Sequence, residues 1–250
     1  MKKEFQRENP RKFGLIGKNI SYSFSKTYFE KKFEALGIFA TYQNFDLTDI
    51  SDFSEIKKQE ISGLNVTIPY KEKIIKFLDE LTPDAENIGA VNTIKLKNDK
   101  YIGFNTDFIG FLEAIKPQLL PHHKKALILG TGGASKAIAY ALEKLGITYR
   151  FVSRKNEIGF LNYENITRAI VQEFSVIINC TPLGTFPEID QLPPFPTDFL
   201  TSKNLVFDLI YNPEKTKLMK LAEANGATTS NGYKMLQIQA EEAWKIWNTL

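Results

Sequence analysis

Two ionisable residues, a lysine and an aspartate, have the types and positions for acid–base chemistry. Lys71 lies two residues after the end of the segment 63–69, and Asp107 follows a predicted hairpin. A lysine just past a strand is usually solvated when it is judged alone. Its ammonium can, however, donate a proton to a carbonyl oxygen that gains negative charge, and a carboxylate can orient the ammonium. From the residues alone, Lys71 is therefore a candidate for acid–base chemistry in a polar crevice, and a solvated lysine is the alternative.

Polar side chains that are awkward to explain as core residues surround this lysine in the sequence. Ser23 and Ser25 follow the first predicted strand and could present two hydroxyls to one anion, although serines there are also frequent helix N-caps. In the segment 64–68 the period of two places Asn65 and Thr67 on one face of a strand. Asn92, like Asn105 further on, lies close to the predicted hairpin. These residues predict a polar binding site in the first half of the chain.

A glycine-rich turn marks the second half. The apolar segment 125–129 runs into Gly130-Thr131-Gly132-Gly133-Ala134, and a helical apolar pattern follows. Against the G-x-G-x-x-G/A fingerprint, the first two glycines match and Ser135 occupies the third position. Such a turn lets a pyrophosphate approach the backbone at a helix N-terminus. The context favours a dinucleotide site, and the alternative is a tight turn in an α/β sheet that binds nothing.

The end of the next predicted strand indicates which dinucleotide would bind. NAD sites place an acidic residue there, on the ribose 2′-hydroxyl. This chain has Ser153-Arg154-Lys155 instead, and arginine suits a 2′-phosphate because its planar fork donates parallel hydrogen bonds. The sequence therefore favours NADP(H) over NAD, unless the two cations only belong to an exposed loop.

Strand-like and helix-like segments alternate along the whole chain, which predicts an α/β fold. In the first half we expect a hairpin turning at Asn98-Asp99, strands at 12–17, 39–46, 63–69, 90–97 and 100–105, and helices at 26–36 and 71–81. The first helix should bury Phe29, Phe33 and Leu36. In the second half we expect strands at 125–129, 147–153, 175–179 and 204–209, helices from 137 to 145, 214 to 224 and 233 to 247, and an irregular loop at 187–196.

Bulk composition excludes several classes of function. The net charge of the 250 residues is only +3 and the basic residues are dispersed, which argues against nucleic-acid binding. No apolar segment approaches the length of a membrane span, and the charged residues 1–12 lack the apolar run of a signal peptide. Cys180 is the single cysteine, so an intracellular, cytoplasmic protein is expected. His122 and His123 lack carboxylates at metal-ligand spacing, so no metal site is predicted.

Motifs spread over nearly the whole chain resemble those of the shikimate dehydrogenase family. They occur in the family's order from about residue 13 to about residue 243. The motifs are GKNISYSFS (17–25), GLNVTIPYKE (63–72), GAVNT (89–93), NTD (105–107), NCTPLG (179–184), DLIYNP (208–213) and GYKMLQIQA (232–240).

The resemblance implies a role for each matching residue. Lys71 would be the general acid or base, with Asp107 beside it in the catalytic machinery. Ser23 and Ser25 would hold the substrate carboxylate with Tyr211 nearby, while ring oxygens would bind Asn65, Thr67, Asn92, Asp107 and Gln239. The cofactor would contact Gly130, Thr131, Gly132, Gly133, Ala134, Ser153, Arg154, Lys155, Thr181, Leu209 and Gly232.

The resemblance also implies an architecture and an activity. An α/β substrate-binding domain, residues 1–106 with 231–250, would face a Rossmann-type NADP-binding domain, residues 107–230, across a cleft. The activity would be reversible reduction of 3-dehydroshikimate to shikimate, by a monomer or homodimer with no nucleic-acid or membrane partner. The alternatives are a quinate/shikimate dehydrogenase that uses NAD and a non-catalytic NADP-binding sensor. Asn19, Tyr22, Lys26 and the neighbours of Arg154 depart from the family pattern.

Overall fold

The structure is a computed structural model that describes residues 9–21, 23–155 and 158–249. The chain forms two compact units. The first comprises Met1–Phe104 and Ala243–Leu250, and the second comprises Asn105–Glu242. The domain limits inferred from the sequence, with a second domain at 107–230, stay a prediction. Tyr22 lies outside the described residues.

The first unit is built on a mixed six-stranded sheet. The strand order is β2-β1-β3-β5-β6-β4. Strand β1 is parallel to its neighbours β2 and β3, whereas β5 is antiparallel to β3 and β6. The strands are β1 (Arg11–Gly17), β2 (Ala40–Asp46), β3 (Gly63–Val66), β4 (Glu80–Leu81), β5 (Thr93–Lys97) and β6 (Lys100–Phe104).

Within the described residues, the α-helices of this unit are α1 (Phe24–Leu36), α2 (Phe53–Lys57), α3 (Pro83–Ile88) and the last part, from Ala243, of the final helix of the chain. Ser23 is the N-cap of α1, and Gly37 ends the helix in the left-handed conformation at φ 62°. Phe29 and Phe33 are buried as predicted, but Leu36 is 55% exposed, so that part of the prediction is wrong. Leu36 is the last helical residue, and the chain turns away at Gly37 before this side chain can cover the sheet.

The predicted helix at 71–81 is also wrong. This segment contains one short 3₁₀ helix, Lys73–Phe77, and then the strand β4. Long-range pairing overrides the helical pattern, because the backbone N–H of Asp79 donates to the carbonyl of Tyr101 and its carboxylate accepts from the N–H of Tyr101. Glu80 and Leu81 then pair with β6. Helix α3, which begins after this strand, was not predicted.

The predicted hairpin is confirmed. Strands β5 and β6 pair antiparallel, with Lys97 opposite Lys100. The two turn residues, Asn98 and Asp99, have φ values of 50° and 60°, which is the left-handed geometry of a two-residue I′ turn. Local chemistry decides this turn, because Asn and Asp tolerate positive φ better than other non-glycine residues.

The second unit is built on a parallel six-stranded sheet in the order β12-β11-β10-β7-β8-β9. Numbered from β7, this is the 3-2-1-4-5-6 order of a Rossmann fold. The predicted α/β class is therefore confirmed. The strands are β7 (Lys125–Leu129), β8 (Thr148–Ser153), β9 (Leu161–Asn162), β10 (Val176–Asn179), β11 (Leu205–Asp208) and β12 (Thr228–Asn231).

Helices cover both faces of the parallel sheet, which is why its central strands are apolar on both sides. One buried cluster includes Ile128 and Phe207, and the other includes Leu127 and Val206. The helices are α4 (Asp107–Ile115), α5 (Gly133–Lys144), α6 (Arg168–Glu173), α7 (Lys217–Ala224) and α8 (Tyr233–Asn248).

Most predicted elements of the second unit are present, with some errors at their ends. Helix α7 begins at Lys217 and not at residue 214, because the hydroxyl of Thr216 accepts from the N–H of Met219 as an N-cap. Residues 187–196 have no helix or strand, as predicted. The sequence did not predict β9, α6 or β12, which are short or polar.

An aromatic cluster forms part of the core of the first unit. The ring of Trp247 lies 4.9 Å from that of Phe13 and 5.1 Å from that of Phe29, measured between centroids. Its indole N–H donates a 3.0 Å hydrogen bond to the carbonyl of Ile94. A Cβ on Gly63 would overlap the indole ring, so this strand position needs glycine for the close approach.

Candidate active site

The carboxyl edge of the first sheet opens between two neighbouring parallel strands. Strand β1 lies between β2, which follows it in the chain, and β3 on its other side, so the connections leave β1 and β3 in different directions. Ligands bind at such switch points in open α/β sheets. The segments that leave β1 and β3 are in contact with each other. The N–H of Thr67 donates to the carbonyl of Ile16 at 2.8 Å, and a Cβ on Gly17 would lie 2.6 Å from Cγ2 of Thr67.

Lys71 is held by its backbone at this edge. The turn after β3 is closed by a 2.9 Å hydrogen bond from the N–H of Tyr70 to the carbonyl of Thr67. The carbonyl of Lys71 then accepts from the N–H of Val91 at 2.8 Å. This bond brings Lys71 next to the segment that carries Asn92. Lys71 is half-buried and Asn92 is buried.

A buried network surrounds Asn65, which is 5% exposed. Its amide nitrogen donates to the carbonyl of Asn92 and to Oγ1 of Thr93, each at 3.3 Å. Its amide oxygen accepts a 2.8 Å hydrogen bond from the hydroxyl of Tyr42. The orientation of the amide is thus fixed, because the carbonyl of Asn92 can only accept.

Tyr42 was not among the residues predicted for the site. Its hydroxyl is bonded to Asn65 and to the side chain of Ser25, and therefore joins two predicted substrate-binding residues. Burial raises the pKa of Tyr42, and the hydrogen bond with Ser25 opposes that rise. The strand period could have placed Tyr42 on the inner face of β2. Its partners could not have been found that way, since Asn65 is 23 residues further along.

The two predicted serines lie at the start of α1. Ser23 accepts from the N–H of Lys26 at 3.4 Å as the helix N-cap, which was the alternative interpretation of this residue. Ser25 lies in the first helical turn, and both side chains are half-buried. The structure therefore brings Ser25, Asn65 and Asn92 together through Tyr42 and the backbone, while Ser23 takes part in capping.

The predicted catalytic and substrate-binding residues of the second unit lie on α4 and α8 and on the segment after β11. Asp107 is 5% exposed at the start of α4, and its N–H donates to Oδ1 of Asn105 at 3.0 Å. Helices α4 and α8 pack closely, since a Cβ on Gly110 would lie 3.1 Å from Cβ of Gln239. Gly110 is one turn after Asp107, so Asp107 and Gln239 belong to the same pair of packed helices. Burial raises the pKa of Tyr211.

The glycine turn lies at the switch point of the second sheet, between the exits of β7 and β10. Gly130 has φ 106° and a Cβ there would lie 3.3 Å from Cγ2 of Thr181. Gly132 is the N-cap of α5 and offers no capping side chain, while a Cβ on it would meet open space. Ser135 is fully buried and its hydroxyl donates to the carbonyl of Gly132 at 2.6 Å. The helix N-terminus therefore suits a phosphate group.

The end of β8 carries the two predicted cations. Ser153 is 8% exposed and its hydroxyl oxygen accepts from the N–H of Lys155 at 3.1 Å, which fixes the turn. The side chains of Arg154 and Lys155 are exposed beyond it. A positive turn at this position fits the 2′-phosphate of NADP(H) and lacks the carboxylate that binds the ribose of NAD.

The remaining predicted cofactor residues follow strands of the same sheet. Leu209 directly follows β11, and its N–H donates to the carbonyl of Asn179 at 3.0 Å. Gly232 precedes α8, where a Cβ would overlap the carbonyl of Leu209. The structure therefore gives Gly232 a packing reason to be glycine, beside its predicted contact with a cofactor.

Comparisons with known proteins identify the family. The profile of the shikimate dehydrogenase substrate binding domain matches residues 15–94. The shikimate dehydrogenase (NADP(+)) of Clostridium botulinum is 38% identical over 246 residues, which cover 94% of this chain and 95% of that protein. The chain belongs to the shikimate dehydrogenase family.

Solved structures agree with this membership. The crystal structure of shikimate dehydrogenase from Aquifex aeolicus superposes with a TM-score of 0.86 at 36% identity, covering 96% of this chain and 93% of the other. Quinate dehydrogenase from Corynebacterium glutamicum, in complex with NAD, superposes with a TM-score of 0.84 at 26% identity, covering 96% and 94%. The fold is thus shared by relatives that differ in substrate and cofactor.

Asn19 is one of the residues that depart from the family's motifs, in which the sequence resemblance implies a proline at this position. Asn19 has φ 58°, and its N–H donates to Oδ1 of Asp46 at 2.9 Å. Proline could not adopt this φ, and it has no N–H with which to donate this hydrogen bond. The N–H of Ile20 donates to the same carboxylate at 3.2 Å. The loop before the serines is therefore anchored to β2 in a way that a proline at this position would not allow.

Two observations concern metal sites and membrane-spanning helices, neither of which the sequence predicts. Across residues 9–21, 23–155 and 158–249, no group of three or more His, Cys, Asp and Glu side chains is arranged to hold a metal ion. Within the same described part of the chain, no helix combines the length and apolar character needed to cross a membrane.

Proposed function

We propose that this chain catalyses the reversible NADPH-dependent reduction of 3-dehydroshikimate to shikimate. The observation that carries the proposal is the open carboxyl edge of the first sheet, where the carbonyl of Lys71 accepts from the N–H of Val91, the residue before Asn92. Relatives named shikimate dehydrogenase (NADP(+)) over 94% of the chain support the same activity.

Lys71 is the proposed proton donor. When bound, NADPH supplies the hydride. Negative charge then develops on the substrate's keto oxygen, and the ammonium of Lys71 stabilises that charge and transfers its proton to the oxygen. In the reverse direction the amine accepts the proton from the hydroxyl. Asp107, buried at the start of α4, is proposed to orient the ammonium and to bind the adjacent ring oxygen.

The remaining substrate contacts divide by chemistry. Ser23 and Ser25, with Tyr211, are proposed to bind the carboxylate through hydroxyl donors. Amide and hydroxyl groups can both donate and accept, so they suit ring hydroxyls. The proposed ring contacts are Asn65, Thr67, Asn92 and Gln239.

The cofactor is proposed to lie at the switch point of the parallel sheet. The backbone of Gly130 to Ala134 would face the pyrophosphate, and Arg154 with Lys155 and Ser153 would hold the 2′-phosphate. Thr181, Leu209 and Gly232 would line the part of the site that follows the neighbouring strands. The two exposed cations favour NADPH over NADH here.

Cellular context belongs to the proposal as well. A small-molecule enzyme that acts in the cytoplasm, as a monomer or a homodimer, is compatible with a single cysteine and dispersed charge. The similarity to quinate dehydrogenase from Corynebacterium glutamicum, solved in complex with NAD, makes quinate and NAD the competing pair to be tested.

Nicotinamide absorbance distinguishes these activities. Shikimate and quinate are each offered with NADP and with NAD, and wild type is compared with Lys71→Ala. We expect rapid reduction of NADP with shikimate, and a rate roughly 10²–10⁴-fold lower in the variant, with NADP binding unchanged. Comparable rates with quinate or NAD would reassign the specificity. No turnover with any pair, despite NADP binding, would favour the non-catalytic sensor.

A further inference from the structure

A buried polar network lies at the carboxyl ends of β10 and β11, next to the proposed cofactor site. We propose that Asn179 and Asp208 are positioning residues that fix Thr181 against the phosphate turn and thereby set the affinity for NADP. The inference rests on the proposed role of Thr181 and of the turn that begins at Gly130.

Asn179 holds Thr181 at two points. The N–H of Thr181 donates to Oδ1 of Asn179 at 3.0 Å, and the hydroxyl of Thr181 donates to the same oxygen at 2.7 Å. Asn179 is fully buried. The single hydroxyl proton of Thr181 is therefore committed to Asn179. The oxygen of that hydroxyl accepts from the N–H of Leu183 at 3.4 Å and has a second lone pair for another donor.

Asp208 decides which way the Asn179 amide points. The two ends of an asparagine amide have nearly the same shape, so hydrogen-bond partners must select the orientation. The carboxylate of Asp208 can only accept when ionised, and it lies 3.0 Å from Nδ2 of Asn179. The amide nitrogen must face Asp208, and the amide oxygen is left for Thr181. In the opposite orientation, the amide N–H groups of Asn179 would face the two donors of Thr181, its backbone N–H and its hydroxyl.

Asp208 is itself held by donors from its own exit loop. The N–H of Ile210 donates to Oδ1 at 3.1 Å, and the hydroxyl of Thr216 donates to Oδ2 at 2.7 Å. Asp208 is fully buried, and the thiol of Cys180, with which it interacts electrostatically, is half-buried. Burying a carboxylate is unfavourable, and apolar residues often stabilise such a site as well or better. Stability alone therefore does not account for this network.

The network lies where it can act on the cofactor. Strands β7 and β10 are neighbours, and the N–H of Cys180 donates to the carbonyl of Leu129 at 2.9 Å. Thr181 consequently packs on the turn that follows β7, as the 3.3 Å distance from a Cβ on Gly130 to its Cγ2 shows. A change in the position of Thr181 would therefore disturb the turn that begins at Gly130, which is proposed to bind the pyrophosphate.

A matched control lies in the same sheet, at the amino ends of its strands. Asn204, which precedes β11, accepts from the N–H and the hydroxyl of Thr201 at 2.9 and 3.2 Å. Its amide nitrogen donates to the carbonyls of Val171 and Ser175. The bonding pattern repeats that of Asn179 and Thr181, but at the amino edge of a parallel sheet, away from the proposed site.

Calorimetric titration with NADP, in the absence of substrate, tests the proposal on the full chain. We expect Asn179→Leu to raise the Kd for NADP about tenfold, the factor that two neutral hydrogen bonds typically supply, while the KM for shikimate changes less than about twofold. Asn204→Leu should leave the Kd for NADP unchanged. Asn179→Ala and Asn204→Ala repeat the comparison if leucine prevents folding.

Two outcomes with the asparagine variants would overturn the inference. One is an unchanged Kd in the Asn179 variants, and the other is an equal rise in the Asn204 variants, which would indicate general destabilisation. Thr181→Val separates this failure from that of the proposed function. If Thr181→Val weakens NADP binding but the Asn179 variants do not, only the positioning role fails. If Thr181→Val has no effect, the proposed cofactor contact of Thr181 fails, and the positioning role with it.

Asp208→Asn tests the orientation argument separately. Its amide oxygen can still accept from Asn179, and its amide nitrogen can donate to Thr216, so the amide of Asn179 should keep its orientation. We expect a Kd for NADP within about twofold of wild type. A tenfold rise in this variant would show that charge, and not amide orientation, sets the affinity.

Discussion

The hydroxyl of Tyr42 donates a 2.8 Å hydrogen bond to the amide oxygen of Asn65, and both side chains are buried. The same hydroxyl is bonded to the side chain of Ser25. One phenol on β2 therefore connects a residue of the helix after β1 with a residue of β3. The three side chains form a unit whose geometry depends on the pairing of three strands.

Tyr42→Phe should loosen this unit while preserving the ring. The phenylalanine can keep the stack with Phe29, whose centroid lies 4.9 Å from that of Tyr42, but leaves the amide oxygen of Asn65 without this donor. We expect the KM for shikimate to rise about three- to tenfold and the free energy of unfolding to fall by about 1–3 kcal/mol. Steady-state kinetics and urea denaturation would measure both effects.

Tyr101→Phe is the matched control for this experiment. Tyr101 is also buried in the first unit, and its hydroxyl donates to the carbonyl of Lys57 at 3.3 Å, away from the proposed substrate contacts. It should lose stability without a change in the KM for shikimate. An equal rise of KM in both variants would argue that Tyr42 has only a structural role.

Removing the cations after β8 should change cofactor preference. In Arg154→Ala/Lys155→Ala, we expect the Kd for NADP to rise roughly 10–100-fold, the range for lost charge-assisted hydrogen bonds, with little change for NAD. Calorimetric titration with each dinucleotide would show this. Lys220→Ala, an exposed lysine on α7, should leave both affinities unchanged. Equal weakening of NAD and NADP would contradict a contact with the 2′-phosphate.

Asp208 should make stability depend on pH. Burial raises its pKa to about 6, against the opposing effect of three hydrogen bonds. The folded protein therefore holds a proton at pH values where the unfolded chain has lost it. By linkage, the contribution of Asp208 to the free energy of unfolding is most favourable near pH 4 and falls by about 2–3 kcal/mol as pH rises through 6.

Asp208→Asn should remove this dependence, because the amide does not titrate. Thermal unfolding of wild type and variant between pH 4 and 7 would reveal the difference between their curves. Asp190→Asn, at an exposed position, serves as the control and should follow wild type. Parallel curves for wild type and Asp208→Asn would refute the assignment of this titration to Asp208.

The contact between Gly63 and Trp247 predicts a steric coupling. Gly63→Ala should destabilise the protein by about 1–3 kcal/mol, since the added Cβ overlaps the indole ring. The effect should be smaller in a Trp247→Leu background, where the ring is gone. Urea denaturation of both single variants and the double variant would measure this coupling. Additive changes would mean that the backbone of β3 moves aside at little cost.

The sequence by itself determined the features that arise from neighbouring residues. The run of apolar residues at 125–129 followed by Gly130 and Gly132 predicted the strand, turn and helix of the nucleotide fold. Asn98 and Asp99 predicted the hairpin, because their tolerance of positive φ is a property of the residues themselves. The positions of Lys71 and Asp107 next to predicted elements could be read in the same way, although their proposed roles stay predictions.

Only the tertiary structure decided the features that depend on distant partners. The helix predicted at 71–81 does not form, because Asp79 and β4 pair with β6. Leu36 is exposed because the chain turns away at Gly37, directly after it. The links from Tyr42 to Asn65 and from Asp208 to Asn179 join residues 23 and 29 positions apart. Local propensity carries no information about such pairs, since each hydrogen bond exists only after the strands have aligned.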